Sequence, residues 1–369
     1  ATIASYNWNM DGTGTYVNGT NSTSQNPSYI YDDCGPHDVK LTVTDNNGCS
    51  HETIISVDVY CNPTANFNAP PLCFDDQPMV FTDNSTNGSG TINGWNWNMN
   101  GSGNYQNPTN NTSQNPLYTF DNCGIYNVQL IVTDDNSCSD SIPIAVEVYC
   151  EPVAGFTYTP ECVGTTTLFT DDSSPNNIIG WLWDMGGAGS YQNGTSNTSQ
   201  NPEFLYDNCG TYTVQLVIID ANSCTDIITQ SVDVYCEPIA DFTATTVCNG
   251  DTTDFTNLSS QGPTPSATIA SYNWNMDGTG TYVNGTSSTS QNPSYIYDDC
   301  GPHNVTLIVT DNNGCTNEII ISVDVYCNPD ANFNALPLCF DDQPMVFTDL
   351  STNGSGTING WDWNINETG

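Results

Sequence analysis

The clearest pattern in the chain is an alternation. Val128, Leu130 and Val132 take every second position between Tyr126 and Thr133, a polar turn follows at Asp134–Ser137, and Ile142–Tyr149 resumes the beat. Period-two alternation marks a half-buried strand, and two such runs about a short polar turn mark a hairpin. The motif recurs at Val39, Leu41 and Val43, at Val214, Leu216 and Ile218, and at Val305, Leu307 and Val309. In its first copy the turn reads Asp45-Asn46-Asn47-Gly48, a strong hairpin signal. Upstream of the hairpin, Ile92–Met99 places Trp95, Trp97 and Met99 on one face, and Ala65–Asn68, Met79–Thr82 and Leu117–Phe120 read as shorter strands. The segment Asn100–Gln114 is rich in Asn, Gly, Ser and Thr, too polar to bury, and predicts a loop. No helical period appears. About seven short strands separated by turns predict an all-β protein of antiparallel β-sandwiches.

These elements belong to a repeat. The sixteen cysteines fall into four sets of four, beginning at Cys34, Cys123, Cys209 and Cys300, with internal spacings of 15, 12 and 12. An aromatic pair keeps the same register at Tyr6 and Trp8, Trp95 and Trp97, Trp181 and Trp183, Tyr272 and Trp274, and Trp361 and Trp363. Gln-Asn-Pro recurs at Gln25, Gln114, Gln200 and Gln291. Self-similarity at a fixed period signals a repeat architecture. The boundaries expected are 62–150, 151–236 and 237–327 for three full repeats, with partial ones at 1–61 (without its first strands) and 328–369. Residues 1–103 match 267–369 at all but 14 positions, which points to duplication of a three-repeat block. One way to complete the partial repeats is strand exchange between subunits. Both contain the aromatic strand, Tyr6–Met10 and Trp361–Ile365, so a joint domain would hold it twice. The expectation is instead a window cut from a longer continuous polymer.

The motif Trp-x-Trp-Asp-Met-x-Gly at Trp181–Gly187, followed by Gln200-Asn201-Pro202, Tyr206 and Cys-Gly-x-Tyr-x-Val-x-Leu at 209–216, resembles the PKD (polycystic kidney disease) domain. The whole chain is similar to its cysteine-bearing form in large bacterial surface proteins. That resemblance implies tandem immunoglobulin-like modules arranged end to end, serving as spacers, adhesive segments or accessories to secreted enzymes. The usual Gly-Asp-Gly loop has become Asp11-Gly12-Thr13-Gly14 or Asn100-Gly101-Ser102-Gly103, so no role of that loop's second acid carries over.

Charge narrows the functional classes. Lys40 is the lone basic residue against 41 acidic ones, a formal charge of −40. Such a polyanion cannot neutralise phosphates, which excludes nucleic acid, and it has no polybasic patch for an anionic membrane. Eight Trp, 19 Tyr and 12 Phe separate it from disordered acidic chains. No apolar run is long enough to span a membrane as a helix. The acidic pairs Asp32-Asp33, Asp75-Asp76, Asp171-Asp172 and Asp298-Asp299 read either as solvated loop charge in Asx turns, with no cofactor and no complete calcium-loop motif, or as candidate calcium ligands, calcium being the one cofactor the charge suggests. Paired carboxylates also serve glycosidases, but here they recur in loops with no tuned Lys, Arg or His beside them. No enzyme is expected.

Regular cysteines without a C-x-x-C pair, and with only three histidines, read as disulfides of an extracellular or cell-surface protein. In a sandwich the first-strand loop (Cys73), the start of the hairpin (Cys123) and its end (Cys150) share one pole. The hairpin turn of the next repeat (Cys224) approaches that pole. Symmetry about the turn pairs Cys34 with Cys61, Cys123 with Cys150, Cys209 with Cys236 and Cys300 with Cys327. This leaves Cys73 for Cys224 and Cys162 for Cys315. The rival set is Cys61–Cys138, Cys73–Cys123, Cys150–Cys224, Cys162–Cys209, Cys236–Cys315 and Cys248–Cys300. Both sets bond neighbouring repeats. The function expected is a structural segment of an extracellular filament, stalk or surface adhesin that self-associates along or between fibres. The alternative is a glycan- or protein-binding accessory module of a secreted adhesin or hydrolase, with Tyr16, Tyr105 and Tyr191 as contact candidates that read equally well as the edge of the core.

Overall fold

The computed structural model describes residues 1–364 apart from 176, 264 and 266. Strand dominates throughout, and the described residues hold only two single 3-10 turns, Phe74–Asp76 and Phe340–Asp342.

Residues 62–150 show the plan. Strand Gly124–Asp134 pairs antiparallel with Ile92–Asn98 on one side and Ser139–Tyr149 on the other. The register sets Trp97 opposite Leu130 and Val128 opposite Ile144, so the alternating apolar residues share one face. The facing sheet holds Met79–Val80, Leu117–Phe120 and Gly103–Tyr105, with Phe67–Asn68 and Thr82–Asp83 forming a separate pair. Both layers bury their inner faces in one core of Phe67, Met79, Phe81, Trp97, Phe120 and the hairpin valines. Each such side chain contributes about 1.5–3 kcal/mol. The chain's single lysine makes one surface ion pair, Lys40 to Glu52 at 2.6 Å, worth about 1 kcal/mol at most. Cohesion is therefore apolar burial, ladder hydrogen bonds and disulfides.

Two short elements differ from the sequence expectation. Gly103–Tyr105 lies inside the segment expected to loop, yet pairs with Leu117–Phe120. It is an edge strand held by backbone bonds and by the Tyr105 hydroxyl, which donates to the Trp97 carbonyl at 3.1 Å, so it needs no apolar alternation. Leu72–Cys73 pairs parallel with the end of Ser139–Tyr149, Cys73 opposite Tyr149. Two residues are too few to show a period.

Residues 151–236 and 237–327 repeat the plan. Their sheets run Glu161–Cys162, Thr225–Tyr235, Gly210–Asp220, Ile178–Asp184 and Val247–Cys248, Thr316–Tyr326, Gly301–Asp311, Ile269–Asn275, each faced by a second four-stranded sheet. Each pair of sheets encloses its own core, centred on Trp183 and Trp274. Residues 1–61 carry the hairpin sheet Ile3–Asn9, Gly35–Asp45, Ser50–Val59 and the pair Gly14–Val17 with Ser28–Tyr31. Residues 328–364 form one pair, Phe333–Ala335 with Phe347–Asp349. Of the expected strand Trp361–Ile365, residues 361–364 adopt no strand and Ile365 lies outside the described residues. By compactness the chain divides into Ala1–Pro152 with Ile219–Thr225, and the remainder.

Candidate functional site at the cysteine junctions

The hairpin register builds the first half of the site. Gly124 stands opposite Val148, so the register continued outward brings Cys123 level with Tyr149, with Cys150 one residue beyond it at the hairpin mouth. Cys123 and Cys150 meet there diagonally and are bonded with their Cα atoms 4.9 Å apart. Cys34–Cys61, Cys209–Cys236 and Cys300–Cys327 form in the same way, at 5.1, 4.9 and 4.9 Å. Each closes a hairpin.

The second half begins with the parallel strand. Pairing Cys73 opposite Tyr149 carries its thiol to the same pole as Cys150 and Glu151. Glu151 Oε1 accepts the backbone N–H of Asp75 at 2.9 Å, which fixes the 3-10 turn following Cys73. Cys73 is bonded to Cys224, and by the same geometry Cys162 to Cys315, both with Cα separations of 5.6 Å. These bonds close 151- and 153-residue segments and join one repeat to the hairpin turn of the next. Cys224 and Cys315 are buried.

A carboxylate shapes each hairpin turn, buried in three of the four and half-buried at Asp45. Asp220 Oδ1 accepts the N–H of Asn222 and of Cys224, both at 2.9 Å, and Asp311 Oδ1 does the same for Asn313 and Cys315 at 3.0 and 2.9 Å. Asp45 and Asp134 repeat the arrangement for Cys49 and Cys138. The residue before each of these cysteines has a left-handed backbone: Gly48, Ser137, Ser223 and Gly314 have φ of 87, 65, 71 and 89°. The Asp thus sets the direction of the junction cysteine, and sequence reasoning missed it. The signal was available as Asp-x-x-x-Cys in all four sets.

The rival pairing is absent. Cys61–Cys138, Cys73–Cys123, Cys150–Cys224, Cys162–Cys209 and Cys236–Cys315 would each need a sulfur already bonded elsewhere, and Cys248–Cys300 fails because Cys300 closes its own hairpin. Four thiols remain: Cys49, Cys248 and Cys339, which are exposed, and Cys138, which is half-buried.

The acidic pairs do not converge with a third ligand among the described residues. The one close grouping of such side chains is Cys73, Glu151 and Cys224, whose two sulfurs are joined to each other. Asp171 is committed within its own repeat, accepting the Trp181 indole N–H at 2.9 Å, the Gln200 amide at 3.2 Å and the Ser173 N–H at 3.1 Å. Asp32, Asp172 and Asp298 donate their backbone N–H to the carbonyls of Thr13, Gly155 and Thr279. Asp33 lies 3.9 Å from the His37 imidazole. Asp75 and Asp76 sit exposed in the 3-10 turn, and Asp299 is exposed beside Asp298.

The tyrosines proposed as ligand contacts turn inward. Tyr16 and Tyr105 are half-buried, their rings edge-on to Tyr29 and Tyr118 at 4.9 Å, and Tyr191 meets Phe204 likewise. Burial pushes the Tyr105 phenol up to about 12, with Tyr118 adding to the effect. It raises Tyr206 and Tyr297 further, where desolvation leads and neighbouring phenols and Asp184 or Asp277 add to it.

Solved structures of several sandwich proteins are similar to this chain. The PKD1 domain of Vibrio anguillarum Epp shares 24% identity over 23% of this chain and 93% of its own, with a TM-score of 0.19. Protocadherin gamma B7 extracellular cadherin domains 1–4 share 9% over 88% and 92%, TM-score 0.27. Sidekick-1 immunoglobulin domains 1–5 share 11% over 88% and 74%, TM-score 0.28. The sequence profile of the PKD domain matches residues 1–59, 61–148 and 235–325, more than half of the chain, and this protein, a tandem array of disulfide-bearing immunoglobulin-like repeats, belongs to the PKD domain family.

Proposed function

We propose that the chain is a structural segment of a long extracellular filament, stalk or surface adhesin, without catalytic activity. Its modules are the repeats bounded at 62–150, 151–236 and 237–327, with 1–61 and 328–369 as parts of further ones. The observation that carries this reading is the pair of bonds Cys73–Cys224 and Cys162–Cys315, each running from one repeat to the hairpin turn of the next. A disulfide inside a module stabilises that module. One between modules does something further: it restrains bending where a linker would otherwise act as a hinge. Quasi-one-dimensional repeats can be extended without loss of stability per module, and the near-identity of residues 1–103 with 267–369 fits growth by duplication. Six disulfides persist only where thiols are not kept reduced, which supports a secreted or cell-surface location. No helix among the described residues is long and apolar enough to cross a membrane.

The glycan-binding alternative rested on exposed loop aromatics, and Tyr16, Tyr105 and Tyr191 pack against their own repeats instead. Negative-stain microscopy tests the reading. Elongated particles that become more bent after reduction support it, whereas compact particles indifferent to reductant contradict it.

A further inference from the structure

The outer face of one sheet departs from its three counterparts. In 62–150 the register sets Asn96, Ile131 and Ser141 side by side across the three long strands, on the face away from the core. The matching rows are Asn273, Ile308 and Glu318 in 237–327, and Asn7, Thr42 and Glu52 in 1–61. Residues 151–236 carry Leu182, Val217 and Ile227 in those places. Their chain neighbours Trp183, Leu216, Ile218 and Ile228 pack into the core, so alternation turns all three outward. Leu182 and Ile227 are 50 and 56% exposed, and Val217 between them is half-buried. Ile179, on the strand of Leu182, is 65% exposed where 62–150 has Asn93 and 237–327 has Ala270. The loop beside that strand, tied by the Trp183 N–H to the Asn197 carbonyl at 2.8 Å, closes the strand's edge and leaves these side chains uncovered.

Single exposed aliphatics such as Ile125 and Ile320 are ordinary on a protein surface, whereas a contiguous set marks a contact surface. Charge selects the partner. The chain carries −40, so a cationic partner is drawn to its acidic surfaces and not to this row. A second copy is repelled by those surfaces and can close only where carboxylates are absent. The rows of 1–61 and 237–327 end on Glu52 and Glu318, which would set like charges against each other. The row of 151–236 holds no charge at all.

We propose that two copies of this chain pair side by side through the outer face of the 151–236 sheet, each laying its row of Leu182, Val217 and Ile227 against the other's about a two-fold axis. Such a contact presents one patch twice, so every group in it must suit its own copy. Thr213, Gln215, Thr229 and Ser231 are exposed on the same face of the two hairpin strands. Hydroxyls and amides both donate and accept, so they can bond to their own kind, as a carboxylate cannot. The nearest outward carboxylates are turned to their own repeat: Asp184 accepts the Gly186 N–H at 2.9 Å, and Asp233 accepts the Thr211 hydroxyl at 2.6 Å. The apolar patch is on the order of 300 Å² per copy, against about 800 Å² per partner in a stable interface. Pairing is therefore weak and reversible, with a dissociation constant of roughly 10 μM to 1 mM.

Sedimentation equilibrium of the full chain tests this, with the exposed thiols Cys49, Cys248 and Cys339 first capped by iodoacetamide. The expected weight-average mass rises from 39.9 kDa toward twice that value between about 10 μM and 1 mM. The dimer should tighten about threefold or more from about 0.05 to 0.5 M sodium chloride, because salt screens the repulsion between copies. Leu182→Asn with Ile227→Ser installs the residues that 62–150 already carries at Asn96 and Ser141, so the fold accepts them. That double variant should weaken the dimer about tenfold or more. Ile320→Asn, at a lone exposed isoleucine of 237–327, should leave it unchanged. The proposal is overturned by a chain that stays monomeric to about 1 mM, which would leave the face to a partner of other chemistry. A dimer that the double variant leaves intact, or one that salt dissociates, overturns it equally. Neither variant touches Cys73–Cys224 or Cys162–Cys315, so none of these results bears on the shaft reading.

Discussion

Replacing Cys73 and Cys224 together by serine removes one junction bond and leaves no odd thiol. The bond spans 151 residues, but Cys123–Cys150 lies inside that loop and shortens the covalent path. With about 125 residues remaining, the chain-entropy relation gives about 5 kcal/mol of stabilisation. The hairpin bond Cys123–Cys150 closes only 27 residues and gives about 3.5 kcal/mol by the same relation. Guanidinium unfolding followed by tryptophan fluorescence measures both, since Trp97 and Trp183 report on the two flanking cores. For slopes of roughly 2–6 kcal/mol per molar, the junction variant should lose on the order of 1–2 M in midpoint. The hairpin variant should lose less. An unchanged midpoint in the junction variant, with the parent verified as oxidised by mass, would refute the claim that this bond holds folded repeats together.

Three further outcomes follow from the site. Because burial raises the Tyr206 and Tyr297 phenols in the folded protein, their contribution is fully present below the unfolded value near 10 and is lost as pH rises beyond it, so denaturation midpoints should be flat to about pH 10 and fall above it; midpoints that rise between pH 10 and 12 would contradict this. Asp311→Ala removes the acceptor for the Asn313 and Cys315 N–H groups, and should cost about 1–3 kcal/mol and speed reduction of Cys162–Cys315 by a dithiol, read by timed alkylation. Ser223→Val places a β-branched residue at φ 71° and should cost about 1–2 kcal/mol, whereas Ser223→Gly, matching Gly48 and Gly314, should be tolerated in the same unfolding assay.

The long elements were legible because burial imposes a period on them. Gly124–Asp134 and Ser139–Tyr149 alternate since one face meets the core, and the cysteine spacing follows from the hairpin they form. Leu72–Cys73 and Gly103–Tyr105 were not legible, since two or three residues held by backbone bonds leave no trace in side-chain chemistry. The acidic pairs looked like a site because charge is visible in sequence and direction is not: Asp171 faces its own Trp181. The converse holds for Asp134, Asp220 and Asp311. They read as ordinary turn residues, yet they are buried and aim the hairpin-turn cysteines, two of which, Cys224 and Cys315, form the junction bonds. Tyr16, Tyr105 and Tyr191 sit in polar segments but turn inward, because each hydroxyl or ring edge finds a partner in its own repeat.

Bonds between repeats brace the shaft, and non-reduced peptide mapping tests them most directly. Trypsin has only Lys40 to cut, so an acid- or aromatic-directed protease is required. The expected peptides join Cys73 to Cys224 and Cys162 to Cys315, alongside the four hairpin pairs. Cys224 and Cys315 recovered as free thiols, or bonded only within their own repeats, would contradict this bracing.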